Sequence, residues 1–461
     1  MIKKIFLTIS IVFLLLAGLA LGGWYYWRIQ DVDLKTDFSA LAQLAVNPKS
    51  SAADLWSLTR ALGGPDGQKN YLIVLQNNHE LRPSGGFVGA YGIMTVEDGK
   101  IVNWRLDDSY GLDKAAERYL RIEPPPPIKE YITDYWWFRD ANWSPDWPTS
   151  AVQLMSLYGQ EGGREKLDGV VALDPTLITD VVDILGPLSV DGLEFNADNF
   201  IDDLQYQVEQ AYLEQGIPKT NRKDIIGKLA SQLMDRLDQA KPLTILKVVT
   251  VVLKNLEQKH LLVYSTDPKL QQQLIDHRWA GVVQSFDGDY LMVADANMVA
   301  RKTDWVMNRT LSYQLRQRGN HLLAILTLRY TNTGEYDYRT SRMRDYTRVY
   351  VPAGSILLNA TGAMQNDRGE TADQPGRVTV GSELGKTVFG WFWYINPGES
   401  RTAILEYQLP DSLSLANAYT LLVQKQAGTA GHPLIIDVKL DNFEKQFQTD
   451  LTVDRIIEIG N

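Results

Sequence analysis

The chain has 461 residues, a formal net charge of −10, 22% charged residues and no cysteine. Without cysteine there can be no disulfides, cysteine-ligated zinc, iron–sulfur clusters or thiol catalysis. A diffuse acid excess with no basic stripe argues against nucleic acid as a partner. This length accommodates about two to three domains.

Ile5 to Trp27 is one apolar run, and a bilayer core needs about 20 helical residues, so this run is long enough to span. Trp24, Tyr25, Tyr26 and Trp27 sit at its far end, where amphipathic rings favour the interface. Lys3, Lys4 and the free amino terminus favour an N-in, C-out orientation. A cleaved signal peptide is the competing reading, but its apolar region is usually only about 7–15 residues. The expectation is an uncleaved anchor over residues 1–28. A juxtamembrane helical stalk follows over 29–69 and is stopped by Gly63-Gly64-Pro65-Asp66-Gly67.

A mixed α/β domain is expected over 70–305. Tyr71 to Leu75 and Phe87 to Val96 read as strands, and Asp98-Gly99 as a hairpin turn into Ile101 to Leu106. Four prolines from Pro124 to Pro127 suggest an extended loop. Thr149 to Tyr158 has helical periodicity. Gly169 to Leu173 is a strand followed by the cap Asp174-Pro175, a helix over Leu177 to Leu185 and the stop Gly186-Pro187. Three more helices are predicted over 196–214, 221–239 and 242–258. Leu261 to Tyr264 is a strand, and Asp267-Pro268 caps a short helix. From Leu311 onward the pattern changes to evenly spaced strands with no helical period. That predicts an all-β, antiparallel, immunoglobulin-like sandwich over 306–461.

Several long motifs occur in fixed order. They are Asn77-Asn78-His79-Glu80-Leu81-Arg82-Pro83-Ser84-Gly85-Gly86-Phe87, Arg139-Asp140-Ala141-Asn142-Trp143-Ser144-Pro145-Asp146, Asp168 to Pro175, Trp279-Ala280-Gly281 and Asn396-Pro397-Gly398-Glu399-Ser400. In these the chain resembles a bacterial family of membrane-attached domains of unknown function, the DUF 4012 type. The resemblance implies an envelope protein anchored in the cytoplasmic membrane with its bulk outside, and supplies no reaction. The order of elements around Arg82 and over Asp168 to Val190 also resembles the LytR-CpsA-Psr enzymes. Those move glycopolymers from a polyprenyl-pyrophosphate carrier to the wall, with arginines on the pyrophosphate and aspartates on magnesium. The chain departs from that pattern where Pro83-Ser84-Gly85-Gly86 follows the arginine and where Asp107-Asp108 follows a strand.

Three constellations are candidates for chemistry, each with a plain alternative. In Arg82-Pro83-Ser84-Gly85-Gly86 the glycines would let backbone N–H groups approach an anion while Arg82 forks onto phosphate. Alternatively, Arg82 simply pairs with a nearby carboxylate. Asp107, Asp108 and Asp113 follow a strand end, where carboxylates hold magnesium, or they form a solvated acidic loop. Trp136, Trp137, Trp143 and Trp147 would offer flat faces to a sugar or lipid carrier beside Arg139 and Asp140. Otherwise they form a satellite core in which Arg139 pairs with Asp140 or Asp146. The five histidines show no pair at metal spacing, and His79 is either a proton carrier or a polar loop residue.

Two functions follow as expectations. In the first, the chain handles a glycan or lipid-linked glycan, with magnesium-assisted phosphoryl transfer by Arg82, Arg139 and Asp140 and with Asp107 and Asp108 on the metal. In the second it is a non-catalytic scaffold or binding protein for a wall polymer or partner, using aromatic sandwich edges such as Trp391, Phe392 and Trp393.

Overall fold

The computed structural model describes residues 61–459, apart from 66, 219–221, 369–372, 414–418 and 441–442. The expected anchor and nearly all of the stalk lie outside the described residues. No helix among the described residues is long and apolar enough to cross a membrane. The fold is mixed α/β with several sheets. Contacts divide it into two compact units that alternate along the chain, whereas the sequence reading placed one linear boundary at 306. The first unit gathers the described residues up to Gln76 with Val88–Arg118 and Met155–Ala280. The second gathers Asn77–Phe87, Tyr119–Leu154 and the chain from Gly281.

In the first unit, β1 (Lys69–Asn77), β2 (Phe87–Glu97), β3 (Lys100–Asp108) and β4 (Gly169–Leu173) are followed by the small hairpin of β5 (Leu188–Val190) and β6 (Leu193–Phe195), then β7 (Leu261–Ser265). Five of these form a sheet in the order β3-β2-β1-β4-β7. β1 and β4 are parallel, with Tyr71 opposite Gly169, and β7 runs antiparallel to β4. The continuous apolar runs are buried strands: every residue of β4 is buried, as are Leu72 and Val74 of β1. Asp98 and Gly99 both have positive φ, which a two-residue turn matched to strand twist requires.

The helix Pro175–Leu185 starts where its cap residues place it. Asp174 accepts from Thr176 N at 2.9 Å, Pro175 occupies the first turn, and Gly186 ends the helix at φ 82°. The other Asp174 oxygen lies 2.7 Å from His260 Nδ1, and both side chains are buried. Three further helical stretches, Phe200–Tyr206, Asp224–Asp238 and Pro242–Glu257, fall within the expected ranges, and Asp267 caps Pro268–Asp276.

In the second unit, β8 (Asp289–Ala294), β9 (Met307–Arg318), β10 (His321–Asn332), β11 (Met343–Pro352), β12 (Ile356–Thr361), β13 (Thr379–Glu383) and β14 (Lys386–Ile395) are followed by β15 (Ser400–Gln408), β16 (Tyr419–Gln424), β17 (Pro433–Leu440), β18 (Phe443–Asp450) and β19 (Arg455–Ile459). They make two six-stranded sheets, β12-β15-β10-β9-β17-β18 and β13-β14-β11-β8-β16-β19. One apolar core is shared by both sheets, with Leu311, Leu326, Leu405 and Ile436 from the first and Leu291, Val349, Trp391 and Val423 from the second. The sheets are not purely antiparallel, because β8 runs parallel to β16 and β9 parallel to β17. Trp391, Phe392 and Trp393 are 1%, 3% and 0% exposed, so they do not form the aromatic edge expected of them. The proline run is also partly helical: Pro126–Tyr131 is a short helix whose first residues are prolines, a position where the missing N–H costs nothing.

Asp289 is a carboxylate buried in the shared core. Asp289 accepts from the hydroxyls of Tyr313 and Tyr419 and from Tyr290 N at 2.8 Å. Burial raises it from 3.8 to about 6, against the pull of those hydrogen bonds. Because the folded value lies above the unfolded one, the stabilisation from its protonation is fully present below about pH 4 and lost as pH rises through about 6. At about 1.4 kcal/mol per tenfold change in proton affinity, the effect is on the order of 3 kcal/mol. Urea unfolding between pH 4 and 7.5 should show stability declining across that window, and Asp289→Asn should flatten this part of the decline. An equally steep profile in the variant refutes the assignment.

Candidate functional site

The segment 77–87 of the second unit is a closed loop. Phe87 N donates to Glu80 O at 2.8 Å and Gly85 N to Arg82 O at 2.9 Å. It is woven into two sandwich loops: Asn297 N donates to Leu81 O, Leu81 N to Asp304 Oδ2, Gln426 Nε2 to Arg82 O and Asn78 Nδ2 to Gly428 O. The glycines serve this interweaving. A Cβ on Gly86 would stand 2.4 Å from the Asn77 carbonyl, and one on Gly428, at φ 78°, would stand 1.9 Å from Gly85 O. Backbone from the same chain therefore fills the space that an anion cradle would need. Ser84 is fully buried, and its hydroxyl donates to Asn142 O at 3.3 Å.

Arg82 is 4% exposed. Its NH1 donates to Asn297 O at 2.8 Å and Leu81 O at 3.3 Å, its NH2 to Asp140 Oδ1 at 3.2 Å and Glu80 Oε1 at 3.4 Å. The Phe87 ring lies below it, 5.2 Å from the guanidinium. Glu80 also receives Lys302 Nζ at 2.9 Å, and Arg139 Nε stands 3.5 Å from Asp140 Oδ2. Three residues named from sequence, Arg82, Arg139 and Asp140, are thus brought together, in the arrangement of an internal ion network.

The tryptophans belong to the same packing. Trp137, Trp143 and Trp147 are 5%, 8% and 0% exposed, and Trp136 is half-buried with its indole N–H on Asp140 O at 3.0 Å. Trp143 packs with Ile128, Ala296 and Met298. The Arg348 guanidinium lies 4.5 Å from its ring and donates to Trp143 O at 2.5 Å, and the Tyr131 ring stacks on Phe392 at 4.3 Å. A row of arginine and aromatic side chains along β11 and β14 is thereby covered by the tryptophan-rich segment. The flat faces expected for a sugar are turned inward. His79 stacks on Trp305 with centroids 5.7 Å apart.

Sequence reasoning missed a second buried centre beside the first. Arg309 Nε donates to Asp295 Oδ2 at 2.9 Å, its NH2 pairs with Asp304, and Tyr330 OH and Thr347 Oγ1 donate to Asp295 at 2.8 and 2.9 Å. Asp345 accepts from Ala296 N and Thr347 Oγ1 at 3.0 and 3.1 Å. Burial, then the charge of Asp295, pushes Asp345 well above the carboxylate range. Burial, then Arg309 and Lys425, lowers His432 to about 3. The space between Asp295, Tyr330, Gln426 and His432 is about 10 Å3, enough for one water and nothing larger. No local motif announces this centre, because its charges come from β9, β11, the loop after β8 and the short helix Thr303–Val306.

Asp107 and Asp108 belong to the first unit, and each is engaged by a cation. Arg105 NH1 is 2.5 Å from Asp107 Oδ2, and Lys223 Nζ pairs with Asp108. Burial pulls the Lys223 ammonium below its usual range, against the pull of Asp108. Arg105 also donates to Tyr158 OH and Glu165 Oε1, both at 3.0 Å. Burial would raise Glu165, but hydrogen bonds from Tyr158 and Arg105 prevail and hold it at about 2. Asp113 is buried within the helix Ser109–Ala116. Among the described residues, no group of three or more histidines, aspartates or glutamates stands where it could hold a metal ion. Each of the expected magnesium ligands has one oxygen paired with a cation, Asp107 Oδ2 with Arg105 and Asp108 Oδ1 with Lys223.

Residues 66–208 match the sequence model of the family described as "Protein of unknown function (DUF4012)". No curated protein matches. Among solved structures, the chain is similar to a putative nutrient binding protein from Legionella pneumophila subsp. pneumophila str. Philadelphia 1, at 8% identity and a TM-score of 0.21 over 33% of this chain and 54% of that one. It is also similar to a mutant M1 zinc metallopeptidase from Deinococcus radiodurans, at 14% identity and a TM-score of 0.18 over 32% of this chain and 39% of that one. The chain thus spans about half or less of the length of these structures.

Removing one partner of a buried ion pair leaves the others uncompensated at a cost of about 3–5 kcal/mol. Arg82→Ala should lower the unfolding free energy by about that amount, read by urea denaturation, because Glu80 and Asp140 lose their shared cation. Unchanged stability in Arg82→Ala would contradict the structural role.

Proposed function

We propose that the chain is a non-catalytic binding protein of the bacterial envelope. Its N-terminal apolar segment anchors it in the cytoplasmic membrane, and an immunoglobulin-like sandwich outside holds a glycan or lipid-linked glycan. The observation that carries this reading is that Arg82, the residue best placed by sequence to grip phosphate, is buried with its charge answered by Glu80 and Asp140. Phosphoryl transfer gains most from cationic groups that become engaged only as charge develops in the transition state. A guanidinium already held between two carboxylates has little of that to give. The candidate metal ligands Asp107 and Asp108 are likewise paired with Arg105 and Lys223. Binding needs none of these groups, only an exposed surface with rings and polar donors. Tyr336, Trp305 and Tyr338 of the second unit are 66%, 42% and 41% exposed.

The test uses the full chain in detergent with a polyprenyl-pyrophosphate-linked glycan and isolated wall polymer. Polymer should co-sediment equally with magnesium and with EDTA, and no glycan should pass from carrier to polymer. Magnesium-dependent transfer that is lost in Arg139→Ala would overturn the reading. The anchor is tested separately: the chain should stay with membranes after alkaline carbonate and be released when residues 1–28 are removed.

A further inference from the structure

The motif Asn396-Pro397-Gly398-Glu399-Ser400 has no part in the network around Arg82. It forms the turn between β14 and β15, closed by Glu399 N on Asn396 O at 3.0 Å. Within it Asn396 Nδ2 and N both donate to Glu399 Oε2 at 3.0 Å. That fixes the amide so that Oδ1 points away and accepts Arg342 Nε at 2.8 Å and Tyr336 OH at 3.2 Å. Arg342 NH1 also donates to Asp367 O at 3.0 Å. Arg344 Nε stands 3.2 Å from Asp367 Oδ2, and Arg368 Nε stands 4.0 Å from Oδ1. Three guanidiniums thus gather on one carboxylate. Arg401, across the Tyr394 ring from Arg342, is answered separately by Glu399 and Asp373.

Exposure runs in a useful order across this patch. The side chains of Asp367 and Arg344 are 9% and 14% exposed, Arg342 is 34% exposed, and Arg368 is 74% exposed. Asp367 therefore lies beneath, with Arg342 partly and Arg368 largely exposed above it. Burial lowers Arg344, with Arg368 and Arg342 adding to it, against the pull of Asp367. Guanidinium forks match phosphate oxygens. Beside them, Tyr336 presents a ring that is 66% exposed and held by its hydroxyl. A ring next to outward guanidiniums suits a ligand in which a sugar and an anion are neighbours.

We propose that Tyr336, Arg342 and Arg368 form a binding site for a phosphate-bearing sugar, with the sugar on the Tyr336 ring and the phosphate between the two arginines. This rests on the glycan-binding reading above and names its ligand class. The ligand chemistry is shared by a free sugar phosphate and by a phosphodiester-linked glycan.

The full chain is titrated calorimetrically with glucose 1-phosphate, inorganic phosphate and glucose. Glucose 1-phosphate should bind more tightly than phosphate, and Arg368→Ala should weaken both by about tenfold, the worth of a charge-assisted contact. Tyr336→Ala should remove the preference for the sugar phosphate and leave phosphate affinity unchanged. Both side chains are exposed, so both variants should fold. Failure of glucose 1-phosphate to bind, equal affinity for phosphate in the unaltered chain, or unchanged affinity in Arg368→Ala overturns the proposal. Wall polymer then distinguishes the two sources and the two readings. Loss of polymer co-sedimentation in the Arg368→Ala, Tyr336→Ala double variant supports a glycan-borne phosphate at this site. Undiminished co-sedimentation overturns the site while the binding-protein reading stands.

Discussion

A buried guanidinium must be met by carboxylates and carbonyl oxygens, and in this protein that requirement fixes how three stretches of chain come together. Arg82 comes from one loop, Asp140 from the tryptophan-rich segment and Asn297 from the strand-to-strand connection of the sandwich. None of the three can shift without leaving charge or a polar group uncompensated in a medium where that is costly. All three stretches belong to the second unit as the contacts define it.

The constraint does not end at Arg82. Asn297, whose carbonyl accepts from Arg82, donates its side-chain amide to Asp304 at 2.7 Å, and Asp304 pairs with Arg309. Two arginines are therefore parts of one network. Around the second, Asp295, Asp304 and Asp345 outnumber the cation, and burial, with the charge of Asp295 adding to it, pushes Asp345 well above the carboxylate range. Such a network stabilises little beyond what an apolar core would, but it tolerates only one register of the segments that build it. A unit assembled from interleaved pieces of chain depends on that selectivity more than on raw stability.

What could be read in the sequence follows from the range of the interactions involved. Strand β4 and the helix after it were legible because the cap, the first-turn proline and the terminal glycine act within a few residues. Strands β9 to β12 and β14 to β17 were legible from alternation and spacing, whereas β8, β13, β18 and β19 were not. β8 lies in sequence beside helices but pairs with β11 and β16, and four of the five residues of β13 are exposed. At the site, sequence singled out Arg82, Arg139, Asp140 and the tryptophans, without revealing whether they face ligand or protein. Arg82 is paired and the tryptophans pack against protein, and most of what decides this is long-range: Asp140, Lys302 and Arg348 arrive from elsewhere in the chain, and only Glu80 is local. The Arg309 centre left no trace at all, since no two of its charged residues are adjacent in sequence.

The arginines of the second unit stand in two kinds of surroundings. Arg82 and Arg309 are each met by two carboxylates at 5% and 4% side-chain exposure, so their charge organises the interior. Arg342, Arg344 and Arg368 converge on the carboxylate of Asp367, and the last is largely in solvent. A charge buried and satisfied within the fold cannot attract a ligand without breaking what satisfies it. A charge that stays in water at the surface attracts one at no such cost. The arginines of this protein should accordingly be ranked as ligand contacts by how much of each guanidinium remains in solvent. By that measure Arg368, between β12 and β13, comes ahead of Arg82 in the loop after β1, although that loop carries the more conspicuous motif.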